Sequence, residues 1–445
     1  MQLFRLFTVT LLATSFGLTI KAQSTQQLSQ KIFGYMKAKD YAKLDALFDT
    51  TGILKLVTFG QQQQYKNDLR DLGPVKKLLK IEDEDYGFKK RIAMGIDFGT
   101  EKQMLYVVLN PKGKIEEFAF DAFTETPLYR LQGYKGFAEV TDWSAEVKTR
   151  DGLRLGANIA YGDTSKQKSP VVIFVHGSGP SDRDESIGPN KVFRDLAQGL
   201  AQQGIVSLRY DKRTFTYQYD SALMNDSMTI EDETVYDAID AVRAAKQFTF
   251  VDTTHIYIVG HSQGAMCAPK IAALCPEIKG IVMMAAPATN LVDIIPQQVE
   301  YIAMLDDTIT NAEQMQLTSV KWMVDKIKSP GLSNKMPRAM LMGASATYWK
   351  SVLRYDQVAT AKRLTLPVFI VNGGRDYQVT VKEFEAWKTA LNGNPNVQFK
   401  LFPKLNHLFL EGETRSEPSE YEVPGHIPQY VIDDLVKFIK TKAEK

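Results

Sequence analysis

Residues 260–264 read Gly260-His261-Ser262-Gln263-Gly264, a G-x-S-x-G pattern preceded by the apolar run 255–259 and followed by the small-residue stretch 265–274. A strand, a sharp turn and a helix are the context this pattern needs. The turn forces the serine into a strained backbone conformation, and the two glycines leave room for strand and helix to approach. A serine hydroxyl is a weak nucleophile at neutral pH until a histidine accepts its proton and a carboxylate fixes the histidine's tautomer. Both partners follow later in the chain. Asp376 comes after the apolar run 368–371 in Asn372-Gly373-Gly374-Arg375-Asp376, and His407 comes after 397–402 in Leu405-Asn406-His407-Leu408-Phe409. The chemistry such a set performs is acyl transfer.

Other residues compete for these roles. His426, between Pro424 and Pro428, is the rival base, but it lies well past the last strand-like run. His255 starts an apolar run and faces the wrong end, His261 flanks the nucleophile where a ring packs, and His176 closes the run 171–175. Asp356 and Glu383 rival Asp376 as the acid; both fall on expected helices, where a solvated face explains them better. Acyl transfer also needs backbone N–H donors for the developing oxyanion. The expected donors are Gln263, directly after the nucleophile, and Ser178 in His176-Gly177-Ser178-Gly179-Pro180, with Gly177 in reserve. The adjoining charges Asp182, Arg183, Asp184 and Glu185 are expected to form an ion-pair cluster that stiffens this loop, Lys212 and Arg213 being possible partners.

The elements that must hold these residues follow from periodicity. Runs 144–149 and 153–161 flank Asp151-Gly152, a hairpin turn signal. Short apolar runs at 171–175, 204–210, 255–259, 278–285, 368–372 and 397–402 then alternate with helix-like stretches such as 192–202 and 234–248. Such alternation predicts an α/β fold, a mostly parallel sheet with helices on both faces. Residues 287–366 contain no convincing strand and are expected to form a helical cap. Met304, Met315, Met323, Met336, Met340 and Met342 lie in it, suited to an acyl pocket or equally to a helical core. The order Ser262, Asp376, His407 is the chain order of α/β-hydrolases.

Upstream, Leu28, Ile32, Phe33, Met36, Leu44, Leu47 and Phe48 recur at helical spacing, broken at Lys39-Asp40, and strands are expected at 88–97, 104–110 and 115–120. The polar run 61–64 reads as a solvated turn. The expected organisation is a signal peptide at 1–22, a small α+β domain at 23–125, a linker at 126–141 and a hydrolase domain at 142–445. The signal peptide rests on Arg5, the apolar stretch 6–20 and a small-residue cleavage point after Ala22. Export to the periplasm or medium follows as an expectation.

At about 150 residues per domain, 445 residues suggest two or three domains, and 44% hydrophobic with 24% charged residues excludes a disordered chain. Without residues 1–22, which carry Arg5 and Lys21, 52 basic residues face 52 acidic ones, so no long-range pull toward nucleic acid or an anionic membrane is expected. Cys267 and Cys275 are eight apart; on one shared helix they would sit about 12 Å apart along its axis, which excludes a disulfide between them. Buried thiols are the simpler reading, and metal binding lacks further ligands.

Residues 176–185 (HGSGPSDRDE), 187–191 (IGPNK) and 208–213 (LRYDKR), with GHSQG and Gly373-Gly374-Arg375-Asp376-Tyr377-Gln378-Val379-Thr380, resemble the bacterial secreted carboxylesterase family of the α/β-hydrolase superfamily over about 142–440. The N-terminal region is similar to the cone-shaped nuclear transport factor 2 fold. The resemblance implies a serine esterase acting on short-chain acyl esters, a small-molecule substrate and no cofactor. Serine aminopeptidase or acyl-peptide hydrolase is the alternative, because carboxylates for a substrate amine could sit in the cap. A second alternative is a ligand-binding protein on a non-catalytic hydrolase scaffold.

Overall fold

The structure, a computed structural model, describes residues 24–443 apart from 51–53, 87–88, 111, 125–132, 135–138, 164–167 and 219–224. The expected signal peptide and most of the expected linker lie outside the described residues. The chain divides into two compact units, the first comprising residues 1–50, 58–83 and 91–124, the second 51–57, 84–90 and 125–445.

In the first unit, Ser24 caps the helix Thr25–Ala38 through a capping box with Gln27, and Leu28, Ile32 and Met36 line its buried face. The break expected at Lys39-Asp40 is a left-handed Lys39 followed by Asp40, which caps the short helix Tyr41–Asp45. The run 61–64 is no turn: it lies inside the helix Leu54–Leu72. Glutamine is a good helix former, and Tyr65 and Leu69, four apart, anchor that helix in the core. Strands β1 (Lys77–Tyr86), β2 (Lys89–Asp97), β3 (Lys102–Leu109) and β4 (Ile115–Ala122) form a sheet in that order. Alternate residues Ile92, Met94, Ile96 and Leu105, Val107, Leu109 pack against the helices. β1 escaped the sequence reading because it is an edge strand whose Lys80, Glu82 and Asp83 blur the alternation.

The second unit is built on an eight-stranded sheet. Its strands are β5 (Thr141–Lys148), β6 (Arg154–Tyr161), β7 (Ser169–Val175), β10 (Val206–Tyr210), β11 (Val251–His261), β12 (Ile278–Met284), β13 (Val368–Gly373) and β14 (Val397–Phe402). A small ribbon, β8 (Ser186–Ile187) and β9 (Asn190–Lys191), stands apart from it. The strand order is β14-β13-β12-β11-β7-β10-β6-β5. The run from β14 to β10 is parallel, and the hairpin β5-β6 closes one edge antiparallel. Val171, Ile173 and Val175 of β7 enter one core with the helices Tyr236–Ala245 and Gln263–Leu274, whereas Val172 and Phe174 enter another with Val192–Gln202 and Gln429–Ala443. A strand buried on both faces reads as a continuous apolar run, which is why β7, β11 and β12 stand out in the sequence.

Between β12 and β13 the chain forms only helices, chiefly Leu291–Ala303, Asn311–Lys328, Ala346–Arg354 and Gln357–Lys362, the expected cap. The registers Gly260↔Val175, Gly260↔Met283 and Met284↔Val371 align the carboxyl ends of β7, β11, β12 and β13. Loops leaving these ends meet at one edge of the sheet.

Candidate active site

Ser262 sits between β11 and the helix Gln263–Leu274 with φ 52° and ψ −116°, a left-handed conformation that a residue with a Cβ adopts only under constraint. The constraint is visible: its N–H donates to Met284 O at 2.9 Å, and its carbonyl accepts from Met266 N at 2.9 Å. A Cβ on Gly260 would stand 2.5 Å from the Gly264 carbonyl, and one on Gly264 would stand 2.0 Å from Val175 O. The two glycines of the motif are therefore required by strand and helix meeting at backbone distance. Gly264→Ala must push β7 and the helix apart, and it is expected to lower stability by more than the ~1 kcal/mol of an average point variant. Thermal or denaturant unfolding checks this, and a wild-type midpoint would contradict it. The helix continues through Pro269 to Leu274, and Cys267 and Cys275 are buried free thiols.

The acid and base loops meet through another glycine pair. A Cβ on Gly373 would lie 2.3 Å from Leu405 O, and one on Gly374 2.7 Å from Pro403 Cα. Asp376 is buried; its Oδ1 accepts from Gln378 N and Val379 N, both at 2.8 Å, leaving Oδ2 facing His407 Nδ1 at 2.8 Å. The neighbouring Asn406 Oδ1 accepts from Leu408 N at 3.0 Å and Leu410 N at 3.1 Å, bracing the base loop. The His407 and His261 rings are 4.7 Å apart. Asp376 and His407 are thus in contact, while the Ser262 hydroxyl makes no hydrogen bond among the described residues. Catalytic hydrogen bonds of this kind commonly tighten only when substrate is bound.

His261 is engaged elsewhere. Its Nε2–H donates to His407 O at 2.9 Å, and its Nδ1 faces Glu185 Oε2 at 3.1 Å, an ion-pair contact rather than an aligned hydrogen bond. Burial disfavours the imidazolium, but the Glu185 charge outweighs it and raises the pKa above the usual histidine value. Burial pushes His176 down to about 4, keeping it neutral, with its Nε2 2.9 Å from Asp182 O. His426 Nδ1 lies 3.0 Å from Asp195 Oδ1, and His255 Nδ1 lies 2.6 Å from Asp252 Oδ2.

In the loop after β7, the Gly177 N–H donates to Glu185 Oε1 at 2.6 Å. Gly177 is thereby removed as the reserve oxyanion donor. The Ser178 N–H makes no hydrogen bond among the described residues, and Gln263, first in its helix, has an N–H without an intrahelical acceptor.

The charges 182–185 are buried and paired, mostly with partners other than those expected. Arg183 forks onto Asp211 at 2.7 and 3.1 Å, and Arg209 Nε donates to Asp184 at 2.7 Å. Burial alone would raise Asp184, but Arg209, Lys191 and Arg194 hold it well below the usual carboxylate range. Asp182, accepting from Ser186 N and Oγ, is pushed up to about 6 by burial. Lys212 and Arg213 turn away from this run: Lys212 reaches Gly177 O and Glu233, and Arg213 pairs with Asp237 and Asp151.

Glu383 is not on a solvated face either. It is buried and accepts from Ala288 N, Thr289 N and Thr289 Oγ1 at 2.7–2.8 Å, tying down the entrance to the cap. Asp356 caps the helix Gln357–Lys362. No group of three or more His, Cys, Asp or Glu side chains among the described residues is arranged to hold a metal ion. The sequence reading missed the Glu185–His261 contact and the buried Lys212–Glu233 pair. The only signal for either was charge beside a motif.

Several known proteins are similar to this chain. Est1E from Butyrivibrio proteoclasticus is 18% identical, with a TM-score of 0.43 over 68% of this chain and 99% of its own. A Pyrococcus furiosus esterase is also 18% identical, with a TM-score of 0.44 over 72% of this chain and 99% of its own. Esterase EstD of Thermotoga maritima is 35% identical over 375 residues, 84% of each chain. The family model described as serine aminopeptidase, S33 matches residues 166–415. With that family match over more than half of its length and a relative of such identity across most of both chains, this protein belongs to the α/β-hydrolase-fold esterase family and is a hydrolase.

Proposed function

We propose that this esterase cleaves short-chain carboxylic esters with Ser262 as nucleophile, His407 as general base and acid, and Asp376 as the group that orients His407. The observation that carries the assignment is the 2.8 Å contact between Asp376 and His407, on loops leaving the sheet edge where Ser262 occupies its left-handed turn. His407 Nε2 takes the Ser262 proton as Oγ bonds to the ester carbonyl carbon. The carbonyl electron pair moves to oxygen, where the N–H groups of Gln263 and Ser178 stabilise the anion. Collapse of the intermediate breaks the ester C–O bond, and His407 returns its proton to the departing alcohol. Water, deprotonated by the same imidazole, then releases the acid and restores Ser262.

The family description admits an aminopeptidase as the second reading, which would need carboxylates for a substrate ammonium. In the cap, Asp293 pairs with Lys328, Glu313 closes a capping box with Thr310 and Asp356 caps its own helix, so these three carboxylates have local duties. Steady-state rates on p-nitrophenyl acetate and on aminoacyl p-nitroanilides separate the two. The expected result is turnover of the ester with little amide cleavage, and the reverse order would favour the peptidase.

The cap, residues 287–366, is expected to set acyl-chain preference, since Met315, Trp322 and Met340 leave adaptable apolar surface there. Replacing it with a short linker should change chain-length preference more than labelling of Ser262 by a fluorophosphonate. A folded variant with unchanged preference would reduce the cap to a spacer. The HGSGPxDRDE motif supports placement among the secreted carboxylesterases. The order of helices followed by a four-stranded sheet supports a nuclear transport factor 2-like N-terminal unit. Export rests on residues 1–22, and N-terminal sequencing of the mature protein tests it. No helix among the described residues is long and apolar enough to cross a membrane.

A further inference from the structure

We infer that Lys212 and Glu233, which lie outside GHSQG and the triad, are positioning residues that set the oxyanion hole and connect it to the cap. The inference rests on the triad reading and goes one layer beneath it. Lys212 Nζ donates to Gly177 O at 2.8 Å. In a planar trans peptide the carbonyl and the following N–H point in opposite directions. Holding Gly177 O therefore aims the Ser178 N–H away from Lys212. The other side of Gly177 is fixed by the bond from its own N–H to Glu185 Oε1 at 2.6 Å. Such a loop needs both restraints, because it is rich in glycine and Gly179 already has φ 82°. A flipped 177–178 peptide would present a carbonyl oxygen to the anion.

Glu233 completes the device. Its Oε1 lies 3.3 Å from Lys212 Nζ, and both side chains are buried. Its Oε2 accepts from Gln263 Nε2 at 3.0 Å and from Tyr348 OH at 2.9 Å, while the Tyr348 hydroxyl also lies 3.1 Å from Gln263 Oε1. One carboxylate thus ties the lysine that orients the Ser178 peptide to the side chain of Gln263, whose N–H is the other expected donor. Tyr348 belongs to the cap helix Ala346–Arg354, so the cap is bonded to the same cluster. Burial and the Glu233 charge keep the Tyr348 hydroxyl protonated, far above the usual tyrosine value. Glu233 stands in a single π-helical turn, Glu231–Val235, ahead of the helix Tyr236–Ala245, and such turns concentrate at functional sites. A buried ion pair is weak evidence for stability, since desolvation offsets attraction. Orientation of the two donors gives this one a role.

The test is the double variant Lys212→Met/Glu233→Gln, which leaves no uncompensated buried charge. It is read by kcat, KM, melting temperature and inhibition by a trifluoromethyl ketone, whose serine adduct carries the tetrahedral oxyanion. Both kcat and affinity for the ketone should fall by a common factor on the order of 10² to 10³, the usual effect of losing one oxyanion donor, with KM changed little. A folded double variant with wild-type kcat and ketone affinity would overturn the inference while leaving the triad intact. Absence of ester hydrolysis by the wild type would instead overturn the triad reading, and this inference with it. A crystal structure of the wild-type ketone adduct gives an answer independent of any variant. Ser178 N–H on the adduct oxygen, with Gly177 O on Lys212, supports the assignment; a 177–178 peptide turned the other way refutes it.

Discussion

Ser262→Ala abolishes ester turnover, lowering kcat by a factor on the order of 10⁵ to 10⁶, while leaving the fold in place. In the proposed mechanism the hydroxyl oxygen forms the acyl bond, so its removal deletes the pathway rather than weakening one contact. The fold survives because what holds the turn is backbone: Ser262 N–H on Met284 O, Met266 N–H on Ser262 O, and the close passage of Gly260 and Gly264. Alanine has the same Cβ and meets the same left-handed φ of 52°, so the strain carries over unchanged. Stability should move by no more than about 0.5 to 1 kcal/mol. Hydrolysis of a short-chain p-nitrophenyl ester beside a melting curve checks both halves. Near-wild-type turnover in a folded variant would place the nucleophile elsewhere.

The second large effect separates two histidines that each hold a carboxylate. His407 lies 2.8 Å from Asp376, and His426 lies 3.0 Å from Asp195. Only the first pair stands on loops at the sheet edge beside the Ser262 turn. Asp195 belongs to the helix Val192–Gln202, and its Oδ2 also accepts from Ile427 N at 3.0 Å, so the second pair anchors the segment before the last helix. His407→Asn should therefore cost about four orders of magnitude in kcat, with a residual rate above water supplied by the oxyanion donors and binding. His426→Asn should keep turnover and lose stability on the order of 1 kcal/mol. Loss of turnover in His426→Asn alone would transfer the base to that residue.

Much of this site was legible in the sequence because its requirements are local. Gly260, Ser262 and Gly264 announce the turn since a Cβ at either glycine would stand only 2.0–2.5 Å from backbone atoms. Asp376 and His407 were placed by the strands before them: β13 is buried on both faces and reads as a continuous apolar run, whereas the edge strand β14 alternates, with Gln398 and Lys400 exposed. What stayed hidden depends on partners far apart in sequence. Glu383 read as a solvated helix residue because its duty, capping Ala288 and Thr289, lies about 95 residues upstream. The charges 182–185 were visible, but their partners Arg209 and Asp211 are on another strand and the loop after it. Ser178 ranks above Gly177 as oxyanion donor from loop position alone, but the contact that occupies the Gly177 N–H, Glu185 reaching back to it, was not visible in the sequence. In the N-terminal unit, the polar residues 61–64 were misread for want of their neighbours, since only the burial of Tyr65 and Leu69 shows which face of that helix is inside.

In the proposed mechanism Ser262 is a nucleophile activated by His407 and Asp376. Its most direct test is time-resolved labelling of the protein by a fluorophosphonate, followed by mass-spectrometric mapping of the modified peptide. The expected result is stoichiometric modification at Ser262, complete loss of esterase activity in parallel with labelling, and labelling slowed by orders of magnitude in His407→Asn. Modification at another residue, or full esterase activity after stoichiometric labelling of Ser262, would contradict it.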